Sequence, residues 1–387
     1  MNEGFISGFS VGCLNLIYIL SGQFKNKSVK KFVLITILFI PIISFGKYEY
    51  PFMQEFFFGK LPSARAEAMG KSYCSIDGDL TTVYFNPSGI ATIKGLETDY
   101  SLASPYYLLD KAKYNFISVG YKFNKYLILG LTRNHFTFGT KIDIVDQNGD
   151  VIGFYDSPHY SNYSLTIASQ PIKNLFLGLN INYLLLNPIN IEETTFYFDF
   201  GIIKKFQFLQ KEKTRHSVSI GASITNFNFA KILFNFNGIE IKNSLPVISR
   251  LGANYEFTLD KHKLIDTLQT ARFILQGEYQ KLLNSEYESA IRSGCELMFL
   301  EILSFRAGYY KEKIYDFGIP SVNYSELGGW TLGIGLQIPL YKLTNVPLNI
   351  NFDYTSLQQP SATSNYPTWG NFTTYNVRLN WIFNNKK

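Results

Sequence analysis

The chain has 387 residues, and 36 lysines and arginines against 30 aspartates and glutamates give it a formal charge of +6. Hydrophobic residues make up 46% and aromatic residues 17%, whereas charged residues make up only 17%, fewer than the roughly 25% of an average soluble domain. This composition excludes an intrinsically disordered chain, which needs low hydrophobicity and high charge. It argues against a nucleic-acid-binding protein, which concentrates its basic residues in a stripe. The 3 cysteines argue against a disulfide scaffold.

Residues 1–46 have the features of an export signal. The apolar run at 32–43 follows four closely spaced lysines, and a basic region before an apolar core of about 7–15 residues is typical of a secretory signal peptide. Small residues at the end of the run predict cleavage after Gly46. We interpret residues 1–24 as an upstream extension from a mis-called start codon. The alternative is a membrane anchor, although the run is shorter than the ~20 residues of a spanning helix.

From about residue 96 onward the chain repeats one pattern, a segment that alternates in polarity followed by turn residues. Alternation with a period of two places the two sets of side chains on opposite faces of a strand. We count fourteen such segments, an even number, each near the ~9–11 residues of a membrane-crossing strand. The sequence therefore predicts an all-β fold, a transmembrane antiparallel β-barrel over residues 96–387. The segments are 96–103, 114–123, 125–137, 160–169, 174–186, 195–205, 215–225, 247–258, 271–281, 288–299, 302–310, 329–340, 346–356 and 372–383.

The two faces of these segments have different expected surroundings. One face carries charges of both signs among small residues, which suits a barrel lumen in which opposite charges pair. The alternative, a secreted soluble sandwich, explains neither such long strands nor so many large apolar residues on one face. The expected lumen charges are Arg250, Glu278, Arg292, Glu296, Arg306, Asp353 and Arg378, with Lys122, Asp199, Glu256 and Arg272 on the same face. The expected lipid-facing set of the last segment, which closes the barrel against the first, is Tyr375, Val377, Leu379, Trp381 and Phe383.

Short and long connections alternate along the chain. Short turns on one side and long loops on the other are typical of outer-membrane barrels, and a periplasmic N-terminus places the long loops outside. Asn148-Gly149, at the centre of residues 141–155, predicts a small hairpin on the first long loop. The connection at 259–270 is longer than its periplasmic position suggests. The short connections are Asn124, 170–173, 206–214 and 341–345, and the long ones are 138–159, 226–246, 311–328 and 357–371.

Residues 47–95 are exported but do not alternate as strands do. Eight strands are filled by their own side chains and 16–18 strands leave an aqueous channel, so fourteen enclose a space that is either open or plugged. A short helix is predicted from Ser63 to Met69, with Ser63 as its N-cap and Gly70 as its stop. A tight turn is predicted at 86–89. We expect residues 47–95 to form a plug or hatch in the lumen; the alternative is a floppy periplasmic tail.

The same segment carries a family resemblance. The stretch 61–70, the acidic pair Asp77 and Asp79, and the turn at 86–89 resemble the opening of the PorV/PorQ family of outer-membrane barrels, within the FadL-like superfamily. Stretches at 250–255, 306–309, 333–336 and 353–354 resemble later strands of that family, so that the resemblance spans about residues 50–383. It implies a 14-stranded barrel with an N-terminal hatch in the lumen. The positions that match its hatch motif are Arg65, Met69, Gly70, Asp77, Asp79, Asn86, Pro87 and Gly89.

No catalytic or metal-binding pattern is found. The four histidines form no His-Glu-x-x-His pair, and no Gly-x-Ser-x-Gly nucleophile elbow occurs. We therefore expect a non-enzymatic protein with no cofactor and no metal. The charges of the ninth to eleventh segments have two interpretations, a lumen site or paired charges that brace the barrel. A disulfide between Cys74 and Cys295 is also left open.

Two functions follow from the resemblance, both in the bacterial outer membrane. Family members include type IX secretion components that receive exported cargo, which predicts that the outer loops engage a cargo or secretion-machinery protein. The alternative is a FadL-like transporter of hydrophobic small molecules. A partner-binding barrel should expose apolar residues on its outer loops, as residues 106–109 and Phe234, Phe236 and Ile239 suggest, whereas a transporter should have an apolar pocket beside the hatch. The expected partners are membrane lipid and either a protein or a hydrophobic ligand, with no nucleic acid.

Overall fold

The structure is a computed structural model. It describes residues 63–104, 111–137, 139, 141–146, 148–187, 192–228, 232–236, 239–243, 245–260, 268–283, 289–314, 325–344, 346–357 and 372–382. The predicted signal peptide, residues 47–62 of the predicted hatch, the apolar loop residues 106–109 and Phe383 lie outside the described residues.

Fourteen strands form one closed antiparallel barrel, which confirms the predicted fold class and strand number. Each strand pairs with its neighbours along the chain, and the last strand pairs with the first. The barrel strands are β1 (Leu96–Ser104), β2 (Lys113–Lys122), β3 (Ile128–Thr137), β6 (His159–Ile172), β7 (Leu175–Asn187), β8 (Glu193–Phe208), β9 (Thr214–Phe227), β12 (Ile248–Leu259), β13 (Ala271–Leu282), β14 (Ser289–Phe299), β15 (Leu303–Ile314), β16 (Ser325–Pro339), β17 (Leu348–Leu357) and β18 (Phe372–Trp381). Two hairpins stand outside it, β4 (Ile142–Val145) with β5 (Val151–Tyr155) and β10 (Ile232–Phe236) with β11 (Ile239–Asn243).

The closing strand has the predicted orientation. β18 pairs with β1 through a register that sets Asp99 opposite Arg378 and Thr98 opposite Leu379. Tyr375, Leu379 and Trp381 are 55%, 40% and 43% exposed on the outer surface. Inward and outward positions therefore alternate along the strand as the sequence indicates.

The outer surface is apolar at mid-height and aromatic near both rims. Exposed aliphatic side chains such as Leu131, Leu275 and Leu332 cover the wall at mid-height. Aromatic girdles at both interfaces are typical of barrels that cross a bacterial outer membrane, and this protein is such a barrel. Exposed aromatic residues near the periplasmic rim are Tyr121, Phe123, Tyr126, Phe206, Phe208, Phe299 and Trp381, and those near the outer rim are Tyr163, Phe196, Tyr279, Tyr309, Trp330, Tyr354 and Tyr375. In the described part of the chain, no helix has the length and apolarity that crossing a membrane requires.

Several predicted connections differ from the structure in their bounds. The turn after β2 comprises residues 123–127 rather than Asn124 alone. The Asn124 side chain accepts hydrogen bonds from the backbone N–H groups of Tyr126 and Leu127, which stabilises this longer turn. The connection at 341–345 is a one-turn helix at Leu340–Leu343. The hairpin at 141–155 is confirmed: its strands pair, and Gly149 at φ +87° makes the turn.

Candidate functional site

The residues Ser63–Gly95, named here the inner segment, lie inside the barrel. They contain helix α1 (Ala64–Ala68) and two short 3-10 helices, η1 (Leu80–Tyr84) and η2 (Pro87–Thr92). As predicted, the Ser63 hydroxyl accepts a hydrogen bond from the Ala66 N–H and caps α1, and Gly70 follows the helix at φ +65°. α1 packs against β15 to β18, whereas η2 packs against β6 to β8. The inner segment therefore spans the bore from one wall to the other.

The predicted tight turn at residues 86–89 is instead the start of η2. The Asn86 side chain accepts a hydrogen bond from the Ser88 N–H, and Pro87 occupies the first turn. Proline is favoured there because its fixed φ suits a helix and its missing N–H would have no helical partner. The Gly89 N–H donates to the Asn86 carbonyl, as in a tight turn, and this bond forms the first turn of η2.

Inward glycines of the wall make room for the backbone of the inner segment. A Cβ at Gly294 would lie 2.6 Å from the Met69 carbonyl carbon, and one at Gly308 would lie 2.6 Å from the Gly70 Cα. Any side chain at these positions would displace the inner segment. The same close approach occurs at Gly178, Gly201, Gly221 and Gly333, which face Pro87, Asn86, Cys74 and Ala68.

Two residues of the matched hatch motif, Arg65 and Asp79, are joined to the wall by buried ion pairs. The Arg65 guanidinium donates to both carboxylate oxygens of Glu296, at 2.7 and 2.8 Å, and to Asp79 at 3.0 Å. Arg378 reaches the same Asp79 oxygen at 3.0 Å. We name the set Arg65, Asp79, Glu296, Arg306, Asp353, Arg378 and Arg272 the charge cluster.

Glu296 is the centre of the charge cluster. It binds Arg65 from the inner segment, Arg272 at 2.8 Å and Arg306 at 2.6 Å. Arg306 also donates to Asp353 at 2.7 Å. A bidentate guanidinium–carboxylate pair is both strong and geometrically specific, so the charge cluster fixes α1 in one orientation against the wall.

Asp79 is fully buried, and its surroundings keep it ionised. Burial alone would raise its pKa, but the guanidiniums of Arg378 and Arg65, with hydroxyl groups of Tyr73 and Thr81, outweigh that effect and lower the pKa to about 2. The Tyr73 hydroxyl donates to Asp79 at 2.5 Å. Asp79 therefore carries a negative charge that the surrounding arginines require.

A second set of contacts holds the backbone of the inner segment. Glu278 accepts hydrogen bonds from the N–H groups of Tyr73 and Cys74, both at 2.8 Å. The Thr331 hydroxyl bonds to the Ala68 carbonyl and to the Gly70 N–H, at 2.9 and 3.0 Å. These bonds satisfy buried backbone groups that would otherwise cost free energy.

The structure places the remaining predicted residues as follows. Asp77 pairs with Lys205 at 3.4 Å, near the periplasmic side of the inner segment. Arg250 and Arg292 lie 3.9 and 3.4 Å from Glu278, and Arg292 donates to the Lys71 carbonyl. The charges of the ninth to eleventh segments thus pair with one another and with the inner segment, which is the bracing arrangement.

Cys74 and Cys295 are both free thiols. Cys74 lies in the inner segment and is buried. Cys295 lies on β14 between the inward residues Gly294 and Glu296, so its side chain points outward. The disulfide left open by the sequence is therefore excluded, because the wall separates the two residues. Within the described residues, no group of three or more histidine, cysteine, aspartate or glutamate side chains is arranged to hold a metal ion.

The two ends of the lumen have different linings. At the periplasmic end, a cavity of about 480 Å³ is lined by charges of both signs, including Lys205, Glu256 and Arg272. At the outer end, many inward side chains are apolar, beside polar ones such as Thr195 and Thr374, and we name the apolar ones the apolar layer. They are Tyr114, Phe116, Phe136, Tyr160, Leu184, Leu186, Tyr197, Ile248, Leu282, Tyr310 and Leu357, all buried.

Sequence reasoning missed the apolar layer and the inward glycines. The signal for both was present, since each residue shares strand parity with the polar lumen face. Leu184 and Leu186, for example, continue the parity of Asn180 and Asn182. The apolar layer and the inward glycines are therefore visible in the sequence as apolar residues and glycines on the otherwise polar face of each strand.

Neither family models nor curated proteins give a match to this sequence. Among solved structures, the chain is similar to the Pseudomonas putida toluene transporter TodX, with 10% identity, coverage of 83% of this chain and 97% of that one, and a TM-score of 0.44. It is similar to a Pseudomonas aeruginosa FadL homologue, with 8% identity, coverage of 87% and 100%, and a TM-score of 0.43. It is also similar to the Ralstonia pickettii toluene transporter TbuX, with 10% identity, coverage of 84% of this chain and 98% of that one, and a TM-score of 0.40.

The barrel is similar to those of FadL-type proteins. The narrower resemblance to the PorV/PorQ family finds no support in these structures. At such low identities and scores, the likeness carries no argument about what this chain binds.

Proposed function

We propose that this protein binds hydrophobic small molecules at the outer end of its lumen and moves them across the outer membrane. The observation that carries the proposal is the apolar layer. The interior of a channel for hydrophilic solutes is polar, whereas here eleven inward side chains at the outer end are Phe, Tyr, Leu or Ile.

An apolar lining favours apolar cargo for a simple energetic reason. Removing apolar surface from water is worth roughly 25 cal/mol per Å², so a hydrophobic molecule gains free energy when it enters the layer. A hydrophilic solute would lose its hydration there without finding partners. The layer therefore selects by polarity.

The inner segment separates the apolar layer from the charged periplasmic cavity. Leu80, Val83 and Ile90 of the inner segment belong to the same buried cluster as the layer. Passage beyond the layer requires the inner segment to move, and the contacts with Glu278, Glu296 and Thr331 oppose that movement. Binding and passage are thus separate steps.

The binding step is tested with the fluorescent probe N-phenyl-1-naphthylamine and purified protein in lipid nanodiscs. We expect the wild type to bind the probe above the background of empty nanodiscs. The double substitution Leu184→Asn with Leu186→Asn should weaken binding at least ten-fold. Met298→Asn, an inward position at the periplasmic end, serves as the control and should leave binding unchanged. Absence of binding by the wild type, or equal binding by all three proteins, would contradict the proposal.

A second candidate is engagement of an exported or secretion-machinery protein by the outer surface. One observation favours it: the β4–β5 hairpin exposes Val151, Ile152 and Phe154 at 61%, 67% and 55%. The double substitution Ile152→Asp with Phe154→Asp should then remove a copurifying exported protein without changing binding of the naphthylamine probe. If no such protein copurifies with the wild type, the secretion role has no basis in this hairpin.

A further inference from the structure

The lining of the lumen changes from apolar to polar within one step along five strands on one side of the barrel. On β3, Phe136 points inward, and Asn134, two residues nearer the periplasm, is the next inward side chain. The same step occurs on four other strands. The apolar and polar partners are Tyr160 and Asn162, Leu184 and Asn182, Tyr197 and Asp199, and Ile248 and Arg250.

A small cavity lies at this step, between the wall and η1 of the inner segment. Its volume is about 20 Å³, which is room for a single water-sized group. Apolar residues of the layer, Tyr197 and Ile248, and polar residues of the next rung both line it. The cavity is therefore the polar end of the apolar layer.

Two hydrogen-bond acceptors of the lining have no partner. The side-chain carbonyl oxygens of Asn134 and Asn162 are buried and accept no hydrogen bond, and among the described residues they are the only such buried side-chain atoms of this lining. The two residues are 5% and 3% exposed and lie directly opposite one another on β3 and β6. A buried acceptor without a partner costs free energy, so the site favours a group that donates.

The cavity offers no net charge to an ionised ligand. Asp199 and Arg250, its two charged lining residues, offset each other. The Asp199 carboxylate already accepts hydrogen bonds from the side chains of Asn180 and Asn182, at 2.8 and 2.9 Å, and from the Asn226 N–H at 2.7 Å. Neither a carboxylate nor an ammonium group finds an uncompensated counter-charge.

We propose that the transported molecules are amphipathic, with an apolar body in the apolar layer and a hydroxyl group that donates its one hydrogen to the side-chain oxygen of Asn134, opposite Asn162. The inference rests on the proposed transport function and names its substrate class. A hydroxyl fits the volume and supplies a hydrogen for one of the two unpaired oxygens. A carboxylate brings two acceptor oxygens to a site whose unpaired atoms are acceptors, so it is disfavoured by size and by polarity.

The test compares three ligands of equal chain length in displacing N-phenyl-1-naphthylamine from protein in nanodiscs. 1-Octanol donates a hydrogen bond, octyl methyl ether keeps the oxygen but cannot donate, and octanoate is ionised. Because each ligand also partitions into lipid, the quantity compared is the ratio of its affinity for wild type to its affinity for a variant, in which partitioning cancels.

The variant is Asn134→Leu, which keeps the side-chain size and breaks no hydrogen bond of the described structure. We expect the affinity for octanol to fall about ten-fold, while those for the ether and octanoate change less than two-fold. Asn349→Leu is the matched control, since Asn349 is an inward asparagine with an unpaired side-chain oxygen at the opposite end of the lumen, and it should change none of the three. If Asn134→Leu does not fold, Asn134→Ala replaces it in the same comparison, with the same expected result.

Equal changes for octanol and the ether would overturn the inference and would show that the cavity holds only water, while the proposed function stood. Failure of the wild type to bind the naphthylamine probe would instead overturn the proposed function. The two failures are therefore distinguishable in one experiment.

Discussion

Near both ends of the lumen, every second residue of a strand points inward, but the inward side chains differ in polarity between the two ends. At the outer end the inward side chains include the apolar layer, whereas the arginines and carboxylates that bind α1 lie nearer the periplasm. One end is suited to a hydrophobic molecule, and the other holds the inner segment in place. The comparison shows that parity decides which face a side chain takes, while depth along the strand decides its role.

The largest expected effect comes from breaking the periplasmic half. Glu296→Gln leaves Arg65, Arg272 and Arg306 without the carboxylate that they share, and breaking a buried ion pair costs roughly 3–5 kcal/mol. We expect a large fall in the thermal midpoint and faster proteolysis of the inner segment. Glu256→Gln is the control, because Glu256 is partly exposed and pairs with Lys205 at 3.1 Å rather than with the inner segment. Equal stability of the two variants would show that the charge cluster does not hold the inner segment.

Depth also governs the outer surface. Val377 lies between the outer aromatic Tyr375 and the periplasmic aromatic Trp381, so arginine there should cost roughly 2–4 kcal/mol, against about 0–1 kcal/mol near the interface. Leu379 lies between the same two aromatic residues, so we expect both Val377→Arg and Leu379→Arg to lose heat-modifiable migration in detergent gels and Trp381→Arg to keep it. Loss of migration by Trp381→Arg alone would mean that the membrane band is placed wrongly on β18.

The sequence predicts which face of a strand each side chain takes, but not the contacts that it makes in the lumen. Alternation identified the wall and its two faces, because Tyr375 and Asn376 must point in opposite directions on a strand. It could not find the partners of Glu296, since Arg65 is 231 residues away in the chain and meets it only through barrel closure. The inward glycines look like ordinary small residues until the backbone of Met69 and Gly70 is seen against them.

A smaller effect of about 2 kcal/mol follows from the buried charge of Asp79. Its pKa is lowered from an ordinary value of 3.8 to about 2, and each pKa unit corresponds to about 1.4 kcal/mol. A depressed carboxyl pKa stabilises the folded state at pH values above about 3.8, and that stabilisation is lost as the pH falls through about 2. The difference in thermal midpoint between wild type and Asp79→Asn should be constant above pH 4 and shrink towards pH 2. A difference that stays constant down to pH 2 would contradict the ion pairs with Arg65 and Arg378.

The smallest perturbation is cysteine labelling in a background without Cys74 and Cys295. Cysteine at Gln337 or Asn349, which line the periplasmic cavity, should react with a water-soluble maleimide. Cysteine at Leu332 or Phe352, on the lipid face, should not react in membranes. Thr331→Cys should also resist, because the inner segment covers it. Labelling of the lipid-face positions alone would mean that the strand register is reversed.

The central claim is that the inner segment closes the bore between the apolar layer and the periplasmic cavity. Its most direct test is the ion conductance of intact protein and of a variant that lacks residues 47–95, both in planar bilayers. A wall of fourteen strands approaches the size at which barrels hold an aqueous channel. We predict that the intact protein is nearly silent and that the deletion variant conducts. Equal conductance of the two proteins would contradict the claim.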